Sequence, residues 1–166
     1  MNALRKDNQE IILHPGQTFF GGSGARIGTL LGSCIAICLW HPILKIGGMC
    51  HYVLPTSHSK NNGILNGRYG ADAIKILQRE ARLHGTGLAE YHASIYGGGN
   101  VVAALAGSKE DTIGARNAGF AMETLIQNKV SILVVDVGET WSRRISFDTS
   151  TGLVVVKRQG NTFITL

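Results

Sequence analysis

Two short apolar segments joined by a proline turn constrain the fold of this chain more than any other feature. The run Ser33–Trp40 is short, apolar and partly β-branched, which is typical of a buried strand. His41 and Pro42 end it, because proline fixes φ and pushes the preceding residue out of the helical region. The segment Lys45–Leu54 follows and predicts a second strand, paired with the first as an antiparallel hairpin.

This hairpin would make Cys34 and His51 neighbours. Cys34 begins the first strand, after the small-residue bend Gly32-Ser33, and His51 lies toward the end of the second. In an antiparallel hairpin the start of one strand lies beside the end of the other. Because side chains alternate between faces along a strand, only one of Cys50 and His51 can share a face with Cys34.

A thiol beside an imidazole is the arrangement that nucleophilic cysteine catalysis needs, with the base activating the thiol and later protonating the leaving group. An imidazolium at His51 would also stabilise the Cys34 thiolate. Strand pairing alone leaves a second interpretation open, in which both residues are buried in the core, since free cysteine is among the most buried residue types. A shift of one residue in register would turn His51 to the other face.

A zinc site built from nearby cysteines and histidines is a third interpretation, with Cys34, Cys38, His41, Cys50 and His51 as donors. Four strand residues at about 3.3 Å each separate Cys34 from Cys38 by roughly 13 Å. Tetrahedral zinc holds its ligands about 2.0–2.3 Å from one centre. Zinc would therefore require a helix here, which the β-branched residues disfavour, and we expect no metal site.

The segments on either side of the turn closely resemble the CheD family of chemoreceptor glutamine deamidases. They are Leu31–Leu39, which reads LGSCIAICL, and Gly47–Pro55, which reads GGMCHYVLP. The resemblance continues in order along nearly the whole chain, through Gly67–Ile74 (GRYGADAI), Ile95–Asn100 (IYGGGN), Ile113–Asn117 (IGARN), Phe147–Gly152 (FDTSTG) and Val154–Lys157 (VVVK).

The resemblance implies a catalytic Cys–His pair with a nearby threonine, matched here by Cys34, His51 and Thr29. Two positions depart from the family pattern. In some members the threonine stands one residue earlier, where this chain has Gly28, and Cys50 occupies a position where asparagine is common. The offset leaves open whether the Thr29 hydroxyl or a backbone carbonyl orients His51.

The activity implied is hydrolysis of glutamine side-chain amides on the cytoplasmic helices of chemoreceptors, with no cofactor. A chemotaxis phosphatase of the CheC type is a possible partner, and a non-catalytic module that docks on receptors or on this phosphatase is the alternative function. Backbone N–H groups near Gly32–Cys34 are candidates for an oxyanion hole.

Length and composition indicate a soluble, cytoplasmic protein. The 166 residues predict one deamidase domain spanning residues 1–166. The chain has no apolar run long enough to span a membrane and no signal peptide. Three cysteines, an odd number, argue for a reducing compartment. The net charge of +5 fits a soluble protein or an acidic partner, and we expect no nucleic-acid partner and no membrane insertion.

The remaining pattern predicts an α/β fold: a largely antiparallel mixed sheet with two main helices, for which the family resemblance implies a layered α/β/β sandwich. The predicted helices are Gly70–Leu83 and Ile113–Gln127, the second capped by Asp111 or Thr112 with Ile113 on its apolar side. The further predicted strands are Glu10–His14, Gln17–Phe20, Glu90–Tyr96, a buried Ser131–Val137, and the hairpin Arg143–Asp148 with Leu153–Arg158.

Two surface features remain. The loop Gly97–Asn100 is either a plain turn or a source of backbone N–H groups for a substrate. The cations near the open end of the last hairpin, Arg143, Arg144, Lys157 and Arg158, predict a solvated face or an acidic docking site.

Overall fold

The computed structural model describes residues 9–60, 62–101 and 112–165 of the chain. These residues form ten strands and two α-helices. The strands are β1 (Ile11–Ile12), β2 (Thr18–Gly21), β3 (Arg26–Leu31), β4 (Ile35–His41), β5 (Ile46–Tyr52), β6 (His92–Gly97), β7 (Ser131–Val137), β8 (Arg143–Asp148), β9 (Val154–Arg158) and β10 (Asn161–Thr165). The helices are α1 (Gly70–Leu83) and α2 (Ile113–Gln127), and no helix within the described ranges has the length and apolarity needed to cross a membrane.

The strands form two five-stranded sheets. The central sheet has the order β2-β5-β4-β6-β7, and the outer sheet has the order β1-β3-β8-β9-β10. All described pairs are antiparallel except β1 with β3 and β6 with β7. The two helices contact the central sheet, so the layers are helices, central sheet and outer sheet. The prediction of an α/β/β sandwich with a largely antiparallel mixed arrangement and two helices is confirmed.

Two apolar cores hold these layers together. Alternate residues of β4 point to opposite faces, so Ile35, Ile37 and Leu39 pack with the helices, whereas Ala36 and Cys38 pack between the sheets. A strand buried on both faces reads as a continuous apolar run. This is why the Ser33–Trp40 pattern stood out in the sequence.

The predicted hairpin around Pro42 is confirmed. β4 pairs antiparallel with β5, and the register places Ala36 opposite His51 and Ile35 opposite Tyr52. Both predicted helices are also confirmed with the same bounds. The Thr112 hydroxyl caps α2 by accepting from the Ala115 N–H at 3.0 Å, while Asp111 lies outside the described residues.

Three features of the chain differ from the sequence prediction. β7 has the predicted bounds but is an edge strand of the central sheet, so Leu133 and Val135 are 53% and 44% exposed. Ile113, expected on the apolar side of α2, is exposed, and the next residue, Gly114, is the one that packs against Gly98. β10, for which no strand was predicted, adds the last strand to the outer sheet by pairing with β9.

The prediction that four cations cluster at the open end of the last hairpin is also wrong. Arg143 and Arg158 point inward, because they alternate with outward-facing Arg144 and Lys157 along their strands. Both inward guanidinium groups pair with Asp136 of the central sheet, at 3.2 and 2.8 Å. These ion pairs join the two sheets, so the four cations do not form one solvated face.

Candidate active site

Cys34 lies at the end of the sandwich where β4 begins, immediately after the bend at Gly32 and Ser33. It is half-buried and packs with the residues between the two sheets. His51 pairs with Ala36, two residues beyond Cys34, and paired residues of an antiparallel ladder face the same side. Cys34 and His51 are therefore diagonal neighbours on one face, at a spacing within reach of long side chains. Cys50 points to the helix side instead.

The outer sheet contributes Thr29 to the same place. Its hydroxyl oxygen lies 2.7 Å from Nδ1 of His51 and 2.7 Å from the backbone carbonyl of Leu13. Both Thr29 and His51 are almost fully buried, at 3% and 2% exposure. The side-chain oxygen, rather than a backbone carbonyl of Thr29, is thus the atom that faces the imidazole. Thr29 lies on the inward face of β3 because it alternates there with buried Ile27 and Leu31, whereas Leu30 is exposed.

These contacts fix the tautomer of His51. A hydroxyl has one proton to donate, and the Leu13 carbonyl can only accept it. Thr29 must therefore accept at its oxygen, which places the imidazole proton on Nδ1 of His51. Nε2 then carries a lone pair, and this atom is buried without a hydrogen-bond partner within the described part of the chain.

Burial sets the charge of His51. Loss of solvation, with a smaller contribution from charge repulsion by the nearby His14, lowers the pKa of the imidazole to about 4. His51 is consequently neutral at pH 7. The expectation that an imidazolium stabilises the Cys34 thiolate in the resting protein is therefore wrong, and the side chain is instead a neutral base.

Cys34 is also neutral at rest, because partial burial raises the pKa of its thiol. The charge of Arg68 and the N–H of Cys34 itself act in the opposite direction. Burial raises the pKa of Cys50 to about 12 and that of Cys38 further still. Of the three cysteines, Cys34 alone combines partial exposure with a neighbouring base.

Backbone and side-chain donors bind every carbonyl of the bend that precedes the thiol. The Gly99 N–H binds the Gly32 carbonyl, and the Gly98 N–H binds the Cys34 carbonyl, both at 2.9 Å. The Ser33 carbonyl accepts from Nδ2 of Asn117 at 3.0 Å. The N–H groups of Gly98 and Gly99, which the sequence offered as donors to a substrate, therefore bind the carbonyls of the bend instead.

Glycine is required at the turn that makes these bonds. Gly97 has φ of +112°, and a Cβ there would lie 2.1 Å from the Cys34 carbonyl oxygen. Any other residue would push β6 away from the bend.

Asn117 belongs to the family-like segment Ile113–Asn117, but sequence reasoning assigned it no role at this bend. It occupies the same helical face as Ala121 and Leu125, four and eight residues later, and all three are buried. A polar residue at an apolar position of a helix is the signal that could have identified it.

Within the described residues, the structure disfavours the zinc site that the sequence left as an interpretation. The run Ile35–His41 is a strand, so the helical arrangement that zinc binding by Cys34 and Cys38 would need is not formed. No group of three or more His, Cys, Asp or Glu side chains in the residues described could hold a metal ion. A mostly apolar pocket between the sheets lies at their opposite end, beside Trp40 and Phe147.

Comparisons with known proteins identify the family to which the chain belongs. The sequence model of the family described as CheD, chemotactic sensory transduction, matches residues 53–158. A protein of Dechloromonas aromatica named "Probable chemoreceptor glutamine deamidase CheD 3" is 39% identical over 152 residues, covering 92% of this chain and 89% of that protein. Similarly named proteins are 37% identical in Chromobacterium violaceum, covering 90% of this chain and 78% of the relative, and 38% identical in Pseudomonas syringae pv. syringae, covering 90% and 85%.

The family-model match begins two residues after His51, but the alignment with the Dechloromonas protein covers 92% of the chain and so includes Thr29, Cys34 and His51. Identity and coverage of this extent are sufficient to assign a family: the chain belongs to the CheD family.

Proposed function

We propose that this chain is a chemoreceptor glutamine deamidase, which hydrolyses glutamine side-chain amides on the cytoplasmic helices of chemoreceptors to glutamate and releases ammonia. The names of the relatives supply the reaction and the substrate class. The observation that carries the mechanism is the hydrogen-bond chain from Leu13 through Thr29 to His51, which leaves Nε2 of His51 unprotonated on the face of Cys34. We assign Cys34 as nucleophile, His51 as base and acid, and Thr29 as the acceptor that orients the ring.

The first half of the reaction forms a thioester. Because both groups are neutral at rest, Nε2 of His51 takes the thiol proton as Sγ of Cys34 attacks the amide carbon. The carbonyl oxygen becomes an oxyanion in the tetrahedral intermediate. When the C–N bond breaks, the imidazolium gives its proton to the leaving nitrogen, so ammonia departs and His51 is neutral again.

The second half hydrolyses the thioester. Nε2 of His51 takes a proton from water as the water oxygen attacks the thioester carbon. The C–S bond of the second tetrahedral intermediate then breaks, the imidazolium returns the proton to sulfur, and glutamate is released. Throughout, Thr29 keeps Nδ1 protonated, so Nε2 is always the atom that exchanges protons.

Residues 1–166 act in this reaction as a single deamidase domain that uses no cofactor. The substrate segment is helical and lies on the cytoplasmic side of the membrane, so this chain needs no membrane insertion to reach it. A phosphatase of the CheC type remains a partner suggested by family resemblance alone.

Ammonia release from a purified cytoplasmic receptor fragment tests the function. The wild-type chain should release ammonia and convert specific glutamines to glutamate, as read by mass spectrometry of the fragment. Cys34→Ala should abolish both. Replacing Cys38 and Cys50 together with alanine is the matched control, because buried thiols with raised pKa values should leave most activity.

The outcomes separate the mechanism from the alternative function. Ammonia release by Cys34→Ala would exclude Cys34 as the nucleophile while keeping the deamidase function. Tight binding of the fragment by the wild-type chain without ammonia release would indicate the non-catalytic docking module instead.

A further inference from the structure

Asn117 binds the two strand ends that carry the candidate catalytic pair. Its Nδ2 donates to the Ser33 carbonyl at 3.0 Å and to the Val53 carbonyl at 2.8 Å. Ser33 immediately precedes Cys34, and Val53 follows His51 by two residues. The Tyr52 hydroxyl donates to the backbone carbonyl of Asn117 at 2.5 Å. A single helix residue thus bridges β4 and β5 just beyond their last paired residues, Ile35 and Tyr52.

The side chain of Asn117 is oriented by the two hydrogen bonds that its Nδ2 donates. The residue is fully buried, and its Oδ1 has no hydrogen-bond partner in the ranges that the structure describes. The two oxygens it faces are backbone carbonyls, which accept only, so the NH₂ end must point at them. Leaving Oδ1 buried without a partner is unfavourable. The two hydrogen bonds that Nδ2 donates are therefore the role of the asparagine at this position.

The bond to Ser33 also sets the direction of the next N–H. The C=O of Ser33 and the N–H of Cys34 belong to one trans peptide, in which they point in opposite directions. Asn117 lies in α2, on the helix side of the central sheet, and draws the carbonyl to that side. The N–H of Cys34 therefore points away from α2 and toward its own thiol, whose pKa it lowers by hydrogen bonding.

This N–H is available to a substrate. It donates to no backbone carbonyl among the described residues, and its position beside its own thiol is the one where the oxygen of a thiol adduct would lie. A fixed N–H at the site of a developing oxyanion stabilises the transition state more than the ground state.

We propose that Asn117 is a positioning residue that aims the Cys34 N–H at the oxyanion of the tetrahedral intermediate. This inference rests on the proposed deamidase function. Asn117 itself touches neither substrate nor thiol; it acts by holding the Ser33–Cys34 peptide in one orientation.

The first test compares two reactions of the same thiol in Asn117→Ala. Deamidation passes through an oxyanion, whereas alkylation by iodoacetamide is a displacement at carbon that forms none. Removing one oxyanion donor costs about 10²–10³ in kcat, so misaiming it should cost at least about tenfold, with KM unchanged. The alkylation rate of Cys34 should stay at the wild-type value.

Asn128→Ala is the matched control. Asn128 lies at the other end of α2, and its Nδ2 also donates to a carbonyl, that of Thr124 at 2.8 Å. It should leave both reactions unchanged. If both reactions slow together in Asn117→Ala, Asn117 only maintains the fold, and if neither slows, it has no role; each result overturns the proposal.

A second measurement uses the wild-type chain and needs no receptor, so it is independent of the deamidase function and of whether the variant folds. A peptide aldehyde with a carbonyl in place of the glutamine amide adds the thiol across its C=O bond, forming a C–S bond and an oxygen that sits in the oxyanion position. With only three cysteines in the chain, ¹⁵N-cysteine labelling gives three amide signals. The Cys34 amide proton should move downfield in the adduct relative to the iodoacetamide thioether, which carries no such oxygen.

The signals of Cys38 and Cys50 should not move, because both are buried away from the adduct. Two results overturn the proposal. One is a Cys34 amide proton with the same chemical shift in the aldehyde adduct as in the thioether, and the other is an aldehyde that forms no adduct.

Discussion

The hydroxyl of Thr29 and Nδ1 of His51 lie 2.7 Å apart although the two residues belong to different sheets. The contact is possible because β3 and β5 face each other across the sandwich, with the inner side chains of both sheets meeting between them. A hydroxyl that donates to Leu13 and accepts from His51 orients the ring without adding a negative charge. It should therefore contribute less than a carboxylate would in the same place.

Replacing the Thr29 hydroxyl should slow deamidation without unfolding the chain. Thr29→Val keeps the shape but removes the acceptor, so part of the His51 population would carry its proton on Nε2 and be unable to accept one from Cys34. We expect kcat to fall by about tenfold, less than the 10²-fold or more expected for loss of the base itself. Thr29→Ser, which keeps the hydroxyl, should recover most of the rate in the ammonia assay. Equal rates for Thr29→Val and wild type would mean that Thr29 does not set the tautomer.

Loss of His51 should be more severe. His51→Ala should reduce the deamidation rate by at least about 10²-fold, since general acid–base catalysis contributes at least that much. The alkylation of Cys34 near pH 7 should change much less, because the resting histidine is neutral and does not pair with a thiolate. A large parallel fall in alkylation would show that the resting pair is an ion pair after all.

The pH profile of kcat/KM should have an unusually low acid limb. His51 must be unprotonated to act, and burial lowers its pKa to about 4, so activity is lost only as the pH falls through about that value. His14 is the second cause of this lowering, so His14→Ala should move the acid limb upward. The profile of the free enzyme is measured as kcat/KM against pH on the receptor fragment. An acid limb centred at the ordinary histidine pKa near 6.5 would contradict a buried neutral base.

The local parts of this site could be predicted from sequence, and the long-range parts could not. Alternation along a strand and the proline turn are short-range features, and they were enough to predict the β4–β5 hairpin. They left open whether Cys50 or His51 shares a face with Cys34, which the register of the two strands decides. The two bonds of Asn117 join residues 84 and 64 positions apart. No periodicity encodes which carbonyl a helix side chain will meet.

Burial of individual side chains was harder to predict for the same reason. The apolar run Ser131–Val137 gave correct strand bounds, but its exposure depends on being the last strand of the central sheet. Arg143 looked like a surface cation because arginine is rarely buried without a partner. Its partner, Asp136, lies on the other sheet, and only the packing of the two sheets brings them together.

Cys34 should be the thiol that alkylates in the folded chain. Iodoacetamide reacts with thiolates. Burial raises the pKa values of all three thiols, and it raises that of half-buried Cys34 the least. Labelling followed by peptide mapping should find Cys34 modified and both other cysteines intact until the chain is unfolded in denaturant. Because the pKa of Cys34 is raised, its labelling rate should keep rising with pH beyond the ordinary thiol value of 9.0. A plateau near neutral pH would indicate a preformed thiolate.

The ion pairs of Asp136 should matter for stability more than any surface pair of the chain. Arg143 is fully buried, and its guanidinium group binds Asp136 at 3.2 Å and the carbonyls of Gly138 and Gly97 at 2.9 and 3.3 Å. Asp136→Ala would leave this charge without a counter-ion between the sheets, and breaking a buried pair in this way costs about 3–5 kcal/mol.

Urea unfolding should therefore show a lower midpoint for Asp136→Ala. Arg144→Ala is the matched control, since Arg144 is exposed and its contact with Glu10 is long, at 3.6 Å; a surface pair contributes at most about 1 kcal/mol. Similar midpoints for the two variants would show that the buried pairs do not stabilise the contact between the sheets. A larger loss in Asp136→Ala, with the Cys34 alkylation rate falling in parallel, would show that the same contact also holds the Gly97 turn against the bend that carries the thiol.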